Sequence, residues 1–124
     1  MIATDTSSLV AYLKGEKGND VDLLDSAAMT GQLRLPPVVI TEILSDEASS
    51  KMLAGVLPDI LPLDVLDGFW SRAGKSRRLL KRMGFKAKVA DALIAQSCVD
   101  HDVALIQRDG DFRQFAKYCG LKLA

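Results

Sequence analysis

Five acidic residues stand where a chain rarely places them without a reason. Asp5 follows at once on the apolar opening Ile2-Ala3. Glu42 lies inside the apolar run Val38-Val39-Ile40-Thr41-Glu42-Ile43-Leu44. Asp91 opens an alanine-rich helical pattern, among Ala87, Ala90 and Ala95. Asp109 and Asp111 come just past Val103-Ala104-Leu105-Ile106. Singly, most have an ordinary explanation: Asp5 as an Asx turn or helix cap, Asp91 as an N-cap, Asp109 and Asp111 as turn and cap residues. Glu42 does not, because a cap is impossible in mid-run and a carboxylate buried in an apolar segment is costly. Gathered in one crevice, such groups repel and raise one another's pKa unless a cation sits between them. Oxygen ligands without His or Cys select Mg²⁺ or Mn²⁺. Asp5 is then a metal ligand, with the hydroxyls of Thr6 and Ser7 holding it or a bound water.

The elements that must position these acids can be read from periodicity and punctuation. A strand opens the chain, and Ser7 or Ser8 is expected to cap a helix running to Lys14 and closed by Gly15. A second helix starts at Asn19 or Asp20 and ends at Thr30-Gly31. Leu33-Arg34-Leu35 reads as a strand closed by Pro36-Pro37. Helices follow over 39–45 and 49–57, then a weak edge strand within 60–65, where Pro62 cannot donate into a ladder. The spacing predicts a long amphipathic helix over 66–83, with Phe69, Ala73, Leu79 and Leu80 inward and Gly84 as its stop. A small-residue helix covers 89–100, and the run 103–106 reads as a strand buried on both sides. A short helix over 111–118 and a last strand over 121–123 complete the chain. Short strands alternating with helices predict a single α/β domain over 1–124, a three-layer α/β/α sandwich with a mostly parallel sheet. In such a sheet, strand ends on the carboxyl edge converge on one crevice, and Asp5 and Asp109 would reach it from adjacent parallel strands.

Composition narrows the class. The chain has 124 residues, 48% hydrophobic and 26% charged, as in an ordinary soluble globular domain. No apolar run is long enough to cross a bilayer, and the start does not read as a secretory signal. Cys98 and Cys119 lack CxxC spacing and read as reduced, mostly buried thiols of a cytoplasmic protein. The zero net charge hides an asymmetry: residues 1–70 hold 11 acids and 4 bases, a balance of −7, whereas residues 71–124 hold 12 bases and 5 acids, a balance of +7. Lys75, Arg77, Arg78, Lys81, Arg82, Lys86 and Lys88 form a run with no acid among them. It reads either as a solvated helix face or as a surface for a phosphate backbone.

Other chemistries find little support. Gly68 to Ser76 has the flavour of a phosphate loop, but five residues rather than four separate its glycines, and it lies within a helical pattern rather than after a strand. His101, the only histidine, sits in an Asp-His-Asp turn and is expected to face solvent, which leaves neither a zinc set nor a base for a Ser or Cys nucleophile.

Asp5-Thr6-Ser7 after an apolar start, Thr41-Glu42-Ile43-Leu44, Asp91-Ala92-Leu93-Ile94-Ala95 and Arg108-Asp109-Gly110-Asp111-Phe112 occur in that order across the whole chain. In these pieces the sequence resembles the PIN-domain nucleases, in particular the small VapC-like toxins. The resemblance implies Mg²⁺- or Mn²⁺-dependent hydrolysis of RNA, leaving 5′-phosphate and 3′-hydroxyl ends. It puts Asp5, Glu42, Asp91 and Asp109 in the positions of the family's acidic quartet, as catalytic residues and metal ligands, with Asp111 as an accessory. It also implies a symmetric homodimer silenced by a small antitoxin whose basic residue enters the acidic crevice. One position departs: where the family often has Thr or Ser, this chain has Gln107, an amide that can still bond a carboxylate or water.

On that reading Lys75, Arg77, Arg78, Lys81, Arg82 and Lys88 follow the RNA backbone beside the site. Met52, Leu53, Leu57 and Trp70 exceed what one small sheet needs to cover itself, and Trp70 belongs either to an interface or to the core. Two rival readings remain: a PIN-like module that binds without cutting, and a Mg²⁺-dependent phosphoryl-transfer or receiver-type α/β protein. The Asp-x-Asp-Phe ending and the want of a suitable lysine near the sheet edge count against the latter.

Overall fold

A computed structural model describes all 124 residues. Four strands form one parallel sheet: β1 (Ile2–Thr4), β2 (Leu33–Leu35), β3 (Leu61–Pro62) and β4 (Ala104–Ile106), in the order β3-β2-β1-β4. Seven helices connect them: α1 (Thr6–Leu13), α2 (Asn19–Met29), α3 (Pro37–Leu44), α4 (Glu47–Val56), α5 (Phe69–Arg82), α6 (Val89–Asp100) and α7 (Arg113–Tyr118). Adjacent strand residues point to opposite faces, so Ala3 and Thr4, both fully buried, show that the sheet is covered on both sides. Leu105 and Ile106 say the same of β4. The architecture is the expected α/β/α sandwich.

From β1 the chain moves to β2 and β3 on one side, then returns through α5 and α6 to lay β4 against the other side of β1. The order therefore reverses between β1 and β4, the place where parallel sheets open a crevice at their carboxyl ends. Asp5 donates its backbone N–H to the Ile106 carbonyl at 3.0 Å, joining the two strand ends at that point.

Several boundaries differ from expectation, each for a local reason. Asp5, not Ser7 or Ser8, caps α1: its carboxylate accepts the Ser8 N–H at 2.9 Å. Asp46 caps α4 in the same way through Ser49, so that helix starts at Glu47. Helix α5 begins at Phe69, and Leu79 is 43% exposed while Leu80 is fully buried. Neighbouring helical residues lie about 100° apart, so one of the two must leave the packed stripe. Gly84, at φ 86°, ends α5 with the left-handed residue that the sequence suggests. The turn after β4 holds residues 107–112, delaying α7 to Arg113, and the last strand shrinks to a single parallel bridge between Leu105 and Leu123.

Helices α5 and α6 are locked by a polar clasp. Arg72 donates through Nε and Nη2 to the two oxygens of Asp100, at 2.9 and 2.7 Å, and Gln96 adds a bond to Asp100 at 2.8 Å. This holds the Asp100 carboxyl below the usual carboxylate range. Since Arg72 and Asp100 join the start of α5 to the end of α6, the helices run antiparallel. The C-terminal half of α5, with its basic residues, therefore lies beside the start of α6 and Asp91. No helix is long and apolar enough to cross a membrane.

The phase of α5 gives a direct test. Leu80→Ala should cost about 2–5 kcal/mol, as for a buried leucine, whereas Leu79→Ala should stay within about 0.5 kcal/mol of wild type. Urea denaturation midpoints of the two variants measure both.

Candidate active site

The carboxyl-edge crevice is built from four places in the chain. Asp5, immediately after β1, is buried at 5% exposure. One of its oxygens accepts the Ser8 N–H and the other the Ser7 hydroxyl, both at 2.9 Å. Glu42 arrives from α3, where Val39 and Ile43 face the core one turn apart and Glu42 is left exposed. The expectation of a carboxylate buried in the apolar run is thus corrected: helical period, not burial, sets its place. Its Oε1 accepts the Thr6 hydroxyl at 2.6 Å. Ser7 thus holds Asp5 as expected, while Thr6 holds Glu42.

Asp91 stands half-buried in the first turn of α6. Asp109 and Asp111 are exposed on the turn after β4. That turn is closed by Gln107, whose side-chain oxygen accepts the Gly110 N–H at 2.7 Å. Gln107 thus bonds the backbone rather than a carboxylate.

Electrostatics ties these acids into one group. Burial chiefly raises the Asp91 pKa, to about 6, and repulsion from Asp111, Glu42 and Asp5 adds to it, with Lys88 opposing. Burial also raises Asp5, with Asp109 contributing and the Ser8 and Ser7 bonds working against it. None of the five carboxylates takes part in an ion pair; the salt bridges of the molecule use Glu16, Asp20, Glu47, Asp100 and Asp102. In the arrangement seen, no three of them stand within reach of one shared cation. The donor chemistry nevertheless fits a hard divalent ion: oxygen only, uncompensated negative charge, and no thiolate or imidazole nearby. His101 is about 15 Å away along α6, half-buried rather than free, its Nε2 2.8 Å from the Asp64 carbonyl. Cys98 is buried, its thiol pushed up to about 12, and Cys119 is also free.

The basic run is largely exposed. Lys75, Arg78, Lys81, Arg82, Lys86 and Lys88 face solvent, while Arg77 is half-buried and donates to the Ala87 carbonyl at 2.7 Å. Gly74, Arg77, Arg78, Lys81 and Arg82 line a depression with no apolar residue in it. The glycine-rich stretch weighed as a phosphate loop is the cap and first half of α5.

The sequence profile of the PIN domain matches residues 2–118. The chain belongs to the PIN-domain family. PIN domains are nucleases that generally use divalent metal ions. Three solved structures share the fold. VapBC2 from Rickettsia felis, bound to a DNA fragment from its promoter, is 17% identical with a TM-score of 0.78, over 100% of this chain and 98% of that one. FitAcB from Neisseria gonorrhoeae is 18% identical, TM-score 0.70, over 99% and 96%. DNA-bound VapBC from Salmonella typhimurium is 17% identical, TM-score 0.71, over 100% and 98%. No curated protein is a significant match.

The raised Asp91 pKa sets a pH dependence for the metal-free PIN domain. A carboxyl whose folded pKa exceeds its unfolded value favours the folded state below the unfolded pKa of about 3.9. That contribution is lost as pH rises towards the folded value of about 6. Asp91→Asn should therefore be more stable than wild type at pH 7.5, by ~1 kcal/mol once solvent screening of the half-exposed group is allowed for. The gain should vanish near pH 4. Urea denaturation at the two pH values checks it, and equal stability at pH 7.5 would refute the coupling.

Proposed function

We propose that this PIN domain is a Mg²⁺- or Mn²⁺-dependent endoribonuclease and the toxin of a toxin–antitoxin pair. The observation that most supports the reading is the gathering of acids: Asp91, raised chiefly by burial, is raised further by Asp111, Glu42 and Asp5 from three other parts of the chain, and none of these carboxylates is in an ion pair. Asp5, Glu42, Asp91 and Asp109 would hold the ion, with Asp111 beside them. The bound ion would supply Lewis acidity to activate water and offset charge on the leaving oxygen. The chain's own share is positioning. The α1 cap and Ser7 fix both oxygens of Asp5, and Thr6 fixes one oxygen of Glu42. Asp91 must give up its proton to act as a ligand, so Mn²⁺ affinity should rise with pH up to about 6, the value for the metal-free protein, and level off above it. The exposed bases of α5, with Lys88, would hold backbone phosphates along the flank that leads to Asp91. Single-stranded or looped RNA suits such a groove, because its bases can be splayed out.

The partner reading follows from the same charge. Five unpaired carboxylates make a negative pocket, suited to an arginine of an antitoxin through charge-assisted, bidentate bonds. The three similar structures, VapBC2, FitAcB and VapBC, carry names of the VapBC and FitAB kind, in keeping with this reading.

Calorimetry with Mn²⁺ and cleavage of a single-stranded RNA test the assignment together. Wild type should bind and cut, and Asp5→Asn and Asp91→Asn should lose cleavage by at least about 100-fold. Replacing Arg77, Arg78, Lys81 and Arg82 with Gln should weaken binding to all RNA sequences and flatten the salt dependence by about 0.7 units per lost contact on a single strand. Binding and cleavage that survive in Asp5→Asn would remove the site assignment. A wild type that binds Mn²⁺ and RNA but never cuts would instead make this a binding module.

Self-association rests on Trp70. It does not fill the core: the residue is 66% exposed, with its ring edge-on to Phe69. Beside it are Val65 and Leu66, also exposed, and a cleft reaching Pro37, Val38 and Leu93. Leu53 of α4 and Leu57 just after it contribute less than expected, since Leu53 is buried in the monomer's own core and Leu57 packs against it. A homodimer through the Trp70 surface should sediment as two chains at micromolar concentration and dissociate in Trp70→Ala. A monomeric wild type would rule it out.

A further inference from the structure

At the edge of the crevice, a second chain of polar contacts links two carboxylate-bearing segments, the start of α2 and the turn after β4. Arg108 directly precedes Asp109. Its Nε donates to Asp20 Oδ2 at 2.9 Å, and its Nη2 to Asp20 Oδ1 at 3.2 Å and to the Lys17 carbonyl at 3.0 Å. Glu16 adds a looser contact at 3.7 Å. Asp20, in the first turn of α2, has a side chain only 11% exposed, and its Oδ2 also accepts the hydroxyl of the fully buried Ser8 at 2.8 Å. Ser8 in turn gives its backbone N–H to Asp5. The sequence Arg108, Asp20, Ser8, Asp5 is therefore continuous in hydrogen bonds, although Arg108 and Asp20 are 88 residues apart.

The backbone makes room for this clasp. Gly18, just before α2, adopts φ 154°, and a Cβ there would lie 2.5 Å from Asp20 Oδ1 and 3.0 Å from Arg108 Nη2. A forked guanidinium on a shielded carboxylate fixes orientation as well as distance. Asp20 is not one of the five crevice acids, and its charge is neutralised by Arg108.

We propose that Arg108 and Asp20 are positioning residues that set the spacing between Asp5 and the turn carrying Asp109 and Asp111, so that both present their oxygens to one divalent ion. The proposal rests on the metal-dependent reading above, but the clasp can be tested without metal. Without Arg108, the 107–111 turn keeps the Gln107 bond to the Gly110 N–H and the Arg113 N–H bond to the Gly110 carbonyl, but no tie to α2; without Asp20, Ser8 loses its outer anchor. Groups that orient metal ligands typically change metal affinity by about 10–100-fold when removed.

Arg108→Gln, Asp20→Asn and Gly18→Ala are compared with wild type in two measurements. Mn²⁺ calorimetry should show affinity reduced by about tenfold in each. Amide hydrogen exchange of the metal-free protein should show faster exchange at Gly110 or Ser8, with Leu80 in α5 unchanged. Gly18→Ala is the most telling, because it displaces the clasp while keeping every charge, and it carries the test if Arg108→Gln does not fold. Wild-type exchange at Gly110 and Ser8 in all three variants would overturn the proposal, as would acceleration spread equally to Leu80, which marks general destabilisation. If wild type binds no Mn²⁺ while the selective exchange changes appear, the clasp stands and the nuclease reading fails.

Discussion

The bond from the Asp5 N–H to the Ile106 carbonyl is the junction on which the rest depends. It fixes the carboxyl end of the first strand beside that of the last, at the one place where strand order reverses. Everything acidic in the crevice is arranged about that junction. Asp5 leaves β1 there, the turn bearing Asp109 and Asp111 leaves β4 there, and α3 and α6 bring Glu42 and Asp91 to it. A parallel sheet buried on both faces supplies the rigidity needed to hold like charges together. Repulsion among them is borne by the surrounding core, from Leu9 and Leu35 to Ile94 and Phe115, all essentially inaccessible to solvent.

Much of this was legible in the sequence because local and global signals agree. The runs 2–4, 33–35 and 104–106 are strands since their neighbours are proline, glycine and polar turn residues; α6 has the bounds its pattern suggests. Failures came where two signals competed. Leu79 and Leu80 are equally apolar, and only packing against α6 decides which faces inward. The sequence neighbours of Glu42 are apolar and suggest burial, yet in a helix those neighbours point elsewhere. Trp70 could have satisfied a core or a surface, and its ring lies on the surface.

The candidate site was legible in its acids but not in what holds them. Asp5, Glu42, Asp91, Asp109 and Asp111 stand out because a carboxylate after a strand or within an apolar pattern is conspicuous. Ser8, Asp20 and Arg108 look like any polar residues of loops and helix starts. Their meeting depends on how α1, α2 and the β4 turn pack, and no spacing rule connects positions so far apart. Gln107 shows the converse. Its identity invited a role at a carboxylate, whereas its geometry makes it a turn closure.

Asp5 serves the fold and the crevice at the same time, as helix cap and as buried acid. Asparagine caps a helix about as well as aspartate. One nucleotide change, from an aspartate codon to an asparagine codon, would therefore remove the charge at the centre of the site and leave α1 properly started. On the proposed reading of the crevice, the fold thus offers a short route to silence: a chain that still folds, with that one charge gone.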